Sequence, residues 1–312
     1  MTPTTRSVPY IAPTPITMNG IDTVYDSFGR AADPPLLLIA GLGVQMIGWE
    51  ENFCAQLAGR GFRVIRFDNR DIGLATSFKD TGVPDLGRLI EARLAGEIPE
   101  VPLPYTAYDM VDDTVALLDE LDIEKAHIVG ASMGGVIAQL LTIEYQERVR
   151  TLTAIMTTTG SADLPLPDPV ALSLFMRPPS ENKAEYIENA VQGWQIMYGS
   201  GYPLDEGEAR LRAARYYERS YEPTGTTRQL AATVALESLK PRLDGVTVPT
   251  LVIHGDEDPL FPLECGKDIA VSVPDAKMLV LEGVGHALPS EVWPQVIEAI
   301  SERAAYMEGL NG

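Results

Sequence analysis

Three side chains in this sequence could share one piece of chemistry: a serine among small residues, a histidine and a carboxylate. Ser132 stands in Gly130-Ala131-Ser132-Met133-Gly134, the spacing G-x-S-x-G. It follows the apolar run "HIVGA" and opens "MGGVIAQLL". Strand, turn and helix in that order is the setting of a nucleophile elbow; without it, the same residues are only a Gly-rich bend. Glycines flank the serine because a Cβ there would meet neighbouring backbone. The helix N-terminus favours negative charge beside the hydroxyl.

A serine hydroxyl is a poor nucleophile without a base. The chain has three histidines. His127 lies mid-strand in "AHIVG" and His254 near the end of "LVIHG", and both read as structural. His286 lies in "GVGHALP", a loop between a strand and the last helix. Such a loop reaches the C-terminal edge of the sheet, where Ser132 sits, so elimination makes His286 the base. A carboxylate should orient the histidine and stabilise its cation. "HGDEDPLFP" offers Asp256, Glu257 and Asp258. Asp256 comes early, beside the strand end, whereas Pro259 biases Asp258 to an extended backbone; Asp258 is the choice. An oxyanion needs two N–H donors. Met133, just after the serine, is one, and Leu42 in "AGLG" is the other, with Gly41 beside it in the binding loop.

The elements that must hold these residues are visible as well. "PLLLIAG", "FRVIRFD", "AHIVGAS" and "PTLVIHG" are short continuous apolar runs, as in strands buried on both faces. "RTLTAIM" and "KMLVLEG" complete the set, and "TVYDSFG" alternates like a half-buried strand. Helical patterns lie between them, including one capped by Thr106 and Asp109. Alternating strands and helices predict an α/β fold, a doubly wound and mostly parallel sheet of about eight strands. The alternation stops between about Gly160 and Arg242, where only helical patterns appear. The expected organisation is a core over 1–159 and 243–312 with a helical cap inserted at 160–242. Phe175, Met176, Trp194, Met197, Tyr198 and Tyr202 are candidate lining residues of an apolar pocket under that cap. The Thr- and Pro-rich first 15 residues or so read as a mobile arm.

Bulk composition narrows the partners. The chain has 312 residues, 45% of them hydrophobic and 22% charged, enough for a buried core. A net charge of −20 repels nucleic acid and anionic membranes. Cys54 and Cys265 have no metal-ligand spacing and read as free thiols in a reducing compartment. No secretory leader and no membrane-spanning run are visible, so a cytoplasmic location is expected. Homodimerisation is left open.

As a set, "FDNRDIGLAT", "GASMGG", "TVPTLVIHGDEDPLFP" and "GVGHALP" resemble the α/β-hydrolase superfamily over almost the whole chain, and within it the aclacinomycin methylesterase-like group of small-molecule esterases. The chain order serine, acid, histidine is that of the superfamily. The resemblance implies Ser132 as nucleophile, Asp258 as acid, His286 as base, and no cofactor or metal. Ala40 departs from the pattern, since many relatives carry histidine before the glycine of the oxyanion loop. The expected function is hydrolysis of small to medium hydrophobic carboxylic esters through an acyl-enzyme. The alternatives are a C–C bond hydrolase or lactonase with the same triad, and a non-hydrolytic ligand receptor on the same fold. Dehalogenases and epoxide hydrolases of this fold carry Asp where Ser132 stands.

Overall fold

The computed structural model describes residues 8–97 and 101–307. Eight strands form one sheet: β1 (Tyr10–Met18), β2 (Ile21–Phe28), β3 (Pro35–Ile39), β4 (Arg63–Phe67), β5 (Ala126–Ala131), β6 (Val149–Ile155), β7 (Thr250–Gly255) and β8 (Lys277–Leu281). Their order is β1-β2-β4-β3-β5-β6-β7-β8. β2 runs antiparallel to β1 and β4, and every other pairing is parallel. The helices are α1 (Glu51–Gly59), α2 (Leu86–Leu94), α3 (Ala107–Glu120) and α4 (Met133–Glu144), then α5 (Pro169–Ser173), α6 (Lys183–Met197), α7 (Glu206–Arg219) and α8 (Gly225–Val234) between β6 and β7, and finally α9 (Leu263–Ser272) and α10 (Trp293–Met307). This is the α/β architecture the alternating runs predict.

The continuous apolar runs become strands because helices cover both faces. Leu37 and Ile39 of β3 pack with α3 and α4, while Leu36 and Leu38 pack with α1 and α10; all four are fully buried. Each such side chain stabilises the fold by about 1.5–3 kcal/mol relative to exposure. Helix α3 starts where its capping box demands. Thr106 Oγ1 accepts from the Asp109 N–H at 3.3 Å, and the Asp109 carboxylate accepts from the Thr106 N–H at 2.7 Å.

Two expectations about the N-terminal region are corrected. Residues 10–18 are not an arm but the edge strand β1. Pro13 and Pro15 argue against a central strand, yet an edge strand tolerates a residue without an N–H, and the pairing shifts register between Ile11 and Thr14. β2 is also more than half-buried: of its residues only Asp22 is exposed, since it is flanked by β1 and β4. Residues 1–7 of the proposed arm lie outside the described residues.

Between β6 and β7 the described residues form helices and no strand. Helices α6 and α7 pack on each other, whereas α8 packs on α2 and α3. Arg228 ties α8 to the loop after β4. It is buried on α8 and forms a two-pronged pair with Asp71 at 2.8 Å for each bond, so both charges are matched where water is excluded. Among the described residues no helix is long and apolar enough to cross a membrane.

Candidate active site

Ser132 is the N-cap of α4, at the C-terminal end of the central strand β5. Its backbone has φ +55° and ψ −121°, a conformation that costs a non-glycine residue about 1–3 kcal/mol. Hydrogen bonds on both sides hold it there. Its N–H donates to Ile155 O at 2.9 Å, and its carbonyl accepts from Gly135 N and Thr157 Oγ1 at 2.9 and 2.8 Å. The flanking glycines are needed because backbone crowds them: a Cβ on Gly130 would lie 2.0 Å from Gly134 O, and one on Gly134 would lie 2.2 Å from Ile39 O. The Met133 N–H belongs to the first turn of α4, where helical geometry supplies no intrahelical acceptor.

Of the three carboxylates after β7, Asp258 is the one that reaches His286. Its Oδ2 accepts from His286 Nδ1 at 2.7 Å, and its Oδ1 accepts from the N–H groups of Leu260 and Phe261 at 2.9 and 2.8 Å. Asp258 is buried, so its negative charge rests on these three donors. The other two carboxylates are used locally: Asp256 accepts from the Gly283 N–H, and Glu257 accepts from the Ser200 N–H and hydroxyl. With Nδ1–H donating to the carboxylate, the neutral ring of His286 has its lone pair on Nε2.

Ser132 and His286 line the same cavity, of about 400 Å³. Gly41 and Leu42 line it from the loop after β3, and Phe175, Trp194, Met197 and Tyr198 line it from the insertion. Met133 is buried behind Ser132. Tyr202 instead packs against the core cluster that contains α1 and α10, and the Met176 side chain lies outside the described residues. Arg212, another lining residue, was missed by sequence reasoning. Its guanidinium stacks 3.9 Å over the Trp194 ring and sits 3.7 Å from Glu50. A charged residue on a helix reads as a solvated face until its partner is known.

The loop of His286 is bound to the insertion through backbone. The N–H groups of His286 and Gly285 donate to Met197 O and Tyr198 O at 2.5 and 3.0 Å, and the Gly201 N–H donates to Gly283 O at 2.8 Å. A Cβ on Gly285 would lie 2.1 Å from Met197 O, so the two segments could not approach so closely with any other residue there.

The other histidines sit in packed surroundings. His127 is buried in β5, with Nδ1 2.9 Å from Thr151 Oγ1 and its ring edge-on to Phe62. Burial first, and then the positive charge of Arg150, push its pKa down to about 4. His254 is buried, and its Nε2–H donates to Phe261 O at 2.7 Å. Burial is the largest cause of its lowered pKa. Phe261 therefore takes two bonds from this corner, its N–H to Asp258 and its carbonyl to His254. His254 braces the turn that presents Asp258.

The chain is similar to proteins of known activity. The rhodomycin D methylesterases of Streptomyces sp. (strain C5) and Streptomyces peucetius are 29% and 30% identical to it over 307 and 309 residues, each alignment covering 91% of this chain and 95% of the relative. A thermophilic esterase from Thermogutta terrifontis superposes with a TM-score of 0.70 at 22% identity, over 95% of this chain and 99% of that one. The family described by the alpha/beta hydrolase fold matches residues 34–291. Sheet order, the serine turn after β5 and the family match agree: the chain belongs to the α/β-hydrolase family.

Proposed function

We propose that the protein is a serine carboxylic-ester hydrolase whose relay is Ser132, His286 and Asp258. The methylesterases aligned over nearly their whole length support ester hydrolysis as the reaction class. The observation that carries the assignment of residues is the 2.7 Å bond between Asp258 and His286, beside a cavity that Ser132 also lines. In this reading His286 Nε2 takes the Ser132 proton as Oγ attacks the ester carbonyl. The tetrahedral oxyanion is held by the N–H groups of Met133 and Leu42. The carbonyl re-forms, His286 protonates the departing alkoxide, and the acyl group stays on Oγ. Water then repeats the sequence, and the acid leaves with Oγ reprotonated.

Residues 160–242 act as a cap over a core formed by 1–159 and 243–312. The substrate is a small to medium hydrophobic ester, in keeping with the aromatic and aliphatic lining. No cofactor enters the scheme. Cys54 and Cys265 are buried free thiols, which fits a cytoplasmic enzyme.

The test is release of p-nitrophenol from a series of p-nitrophenyl esters, run beside lactones of matching size. Turnover of the esters that disappears in Ser132→Ala supports the reading. Lactone turnover with inert esters moves it to the lactonase alternative, and activity retained by Ser132→Ala refutes it.

A further inference from the structure

The loop that carries Leu42 is held from the far side by a residue nearly two hundred positions later. Gln229 lies on α8 and is fully buried. Its Oε1 accepts from the Gly43 N–H at 3.0 Å, and its Nε2 donates to Arg70 O at 2.8 Å. These partners fix the amide: reversing it would set donor against donor and acceptor against acceptor in a place without water. The side chain is thus a rigid strut between the loop after β4 and the loop after β3.

The strut acts on the turn that carries the Leu42 N–H. Gly41 O accepts from the Val44 N–H at 3.2 Å, so Gly41 to Val44 form a turn with Leu42 and Gly43 at its centre. Gly43 has φ +69°, as the third residue of a type II turn requires. The Leu42 N–H belongs to the Gly41–Leu42 peptide at the start of this turn. Gln229 Oε1 binds the next N–H along, that of Gly43. Other contacts hold the rest of the loop: Asp68 Oδ1 accepts from the Met46 N–H at 2.8 Å, and Gln45 donates to Tyr216 O and Ser220 O at 2.8 and 3.0 Å. These bonds hold the loop beyond Val44, and the bond to Gln229 holds the turn itself.

We propose that Gln229 is a positioning residue for transition-state stabilisation: by anchoring the Gly43 N–H it holds the Gly41–Val44 turn in place, and with it the neighbouring Leu42 N–H that meets the developing oxyanion. This rests on the esterase reading above. Gln229 does not line the cavity and touches no substrate. It is placed to act on kcat, because an oxyanion exists only in the transition state and the intermediate.

The experiment compares wild type, Ser132→Ala, Gln229→Met and Gln229→Glu. Met fills the same space without either polar atom. Glu keeps the acceptor when ionised but then opposes Arg70 O, whereas its protonated form restores both bonds. Removing an oxyanion donor costs roughly a hundred- to a thousandfold in kcat, and misaiming one is expected to cost about ten- to a hundredfold. The expected result for Gln229→Met is that loss in kcat with KM changed less than about threefold. Affinity for a phenylboronic acid, whose tetrahedral adduct on serine mimics the oxyanion, should fall in parallel. Gln229→Glu should regain kcat relative to wild type as pH is lowered.

A folded Gln229→Met with wild-type kcat and boronate affinity overturns the proposal. So does a loss confined to KM, or a failure of both variants to fold, which assigns Gln229 to stability alone. If Ser132→Ala retains activity, the esterase reading fails instead, and the two failures stay distinct.

Discussion

Asp258 divides its carboxylate between two tasks, giving one oxygen to His286 and the other to its own turn at Leu260 and Phe261. The turn fixes the carboxylate, and the carboxylate fixes the ring. Replacing Asp258 by Asn puts an amide where His286 Nδ1–H needs an acceptor, and favours the wrong tautomer. Asp258→Asn should therefore lose on the order of 10⁴ in turnover while remaining folded. Asp256, which among the described residues accepts from the Gly283 N–H and does not reach His286, should keep most of its turnover as Asn. Side-by-side steady-state kinetics decide the matter, and a reversed pattern would move the acid to Asp256.

Ser132→Ala should abolish ester turnover and lose labelling by a serine-directed phosphonate, with wild type labelled at this residue alone. Alanine keeps the Cβ in the same strained backbone, so its melting temperature should stay close to that of wild type. Gly134→Ala should behave differently, since its Cβ would collide with Ile39 O. Loss of cooperative unfolding is the expected outcome, read by circular dichroism.

Trp194 has one face under the Arg212 guanidinium and contributes to the cavity wall. Trp194→Ala enlarges the cavity, so the preferred acyl or alcohol length should shift upward across an ester series. A melting temperature that drops sharply while the length profile stays fixed would assign the ring to packing of α6 on α7.

Acid should destabilise the protein partly through His127. Its pKa is about 4 when folded and near 6.5 when unfolded. The unfolded chain thus binds the extra proton first as pH falls. Stability is complete above pH 6.5 and is lost between about 6.5 and 4, on the order of 3 kcal/mol from this one group. His254 acts in the same direction, because burial lowers its pKa too. His127→Gln should flatten the melting temperature against pH over that window. Curves that superimpose after a constant offset would show that His127 is not the source.

Much of this was legible in residue order. Five buried strands announce themselves because a strand covered on both faces is largely apolar, while β8 reads the same way although it is an edge strand with Lys277 and Val280 exposed. The serine turn is legible because tight backbone crossings leave room only for glycine. β1 was hidden by its prolines, which an edge strand tolerates. Asp258 stood out from Asp256 through one local cue, the following proline. Arg212, Gln229 and Gln45 were not legible. Arg212 meets Glu50, Gln229 meets Gly43 and Arg70, and Gln45 meets Tyr216 and Ser220, all distant in sequence, and a polar residue's type says nothing of which distant segment it meets. Helix α8 was obscure for the same reason, since Arg228 and Gln229 face inward on a helix that reads as polar.

The bonds between the His286 loop and the end of α6 run from main chain to main chain. No side chain takes part, so no side-chain identity is needed to keep them. Phe175, Trp194, Met197 and Tyr198 can therefore be exchanged over generations, reshaping what the enzyme accepts, while the imidazole stays moored at the same place. Drift in taste is uncoupled from drift in chemistry. An exchange at Gly285 or Gly199 would break that separation, because an added Cβ at either would meet backbone across the seam. A library varied at the four wall positions should yield new substrate preferences with the pH dependence of turnover unchanged.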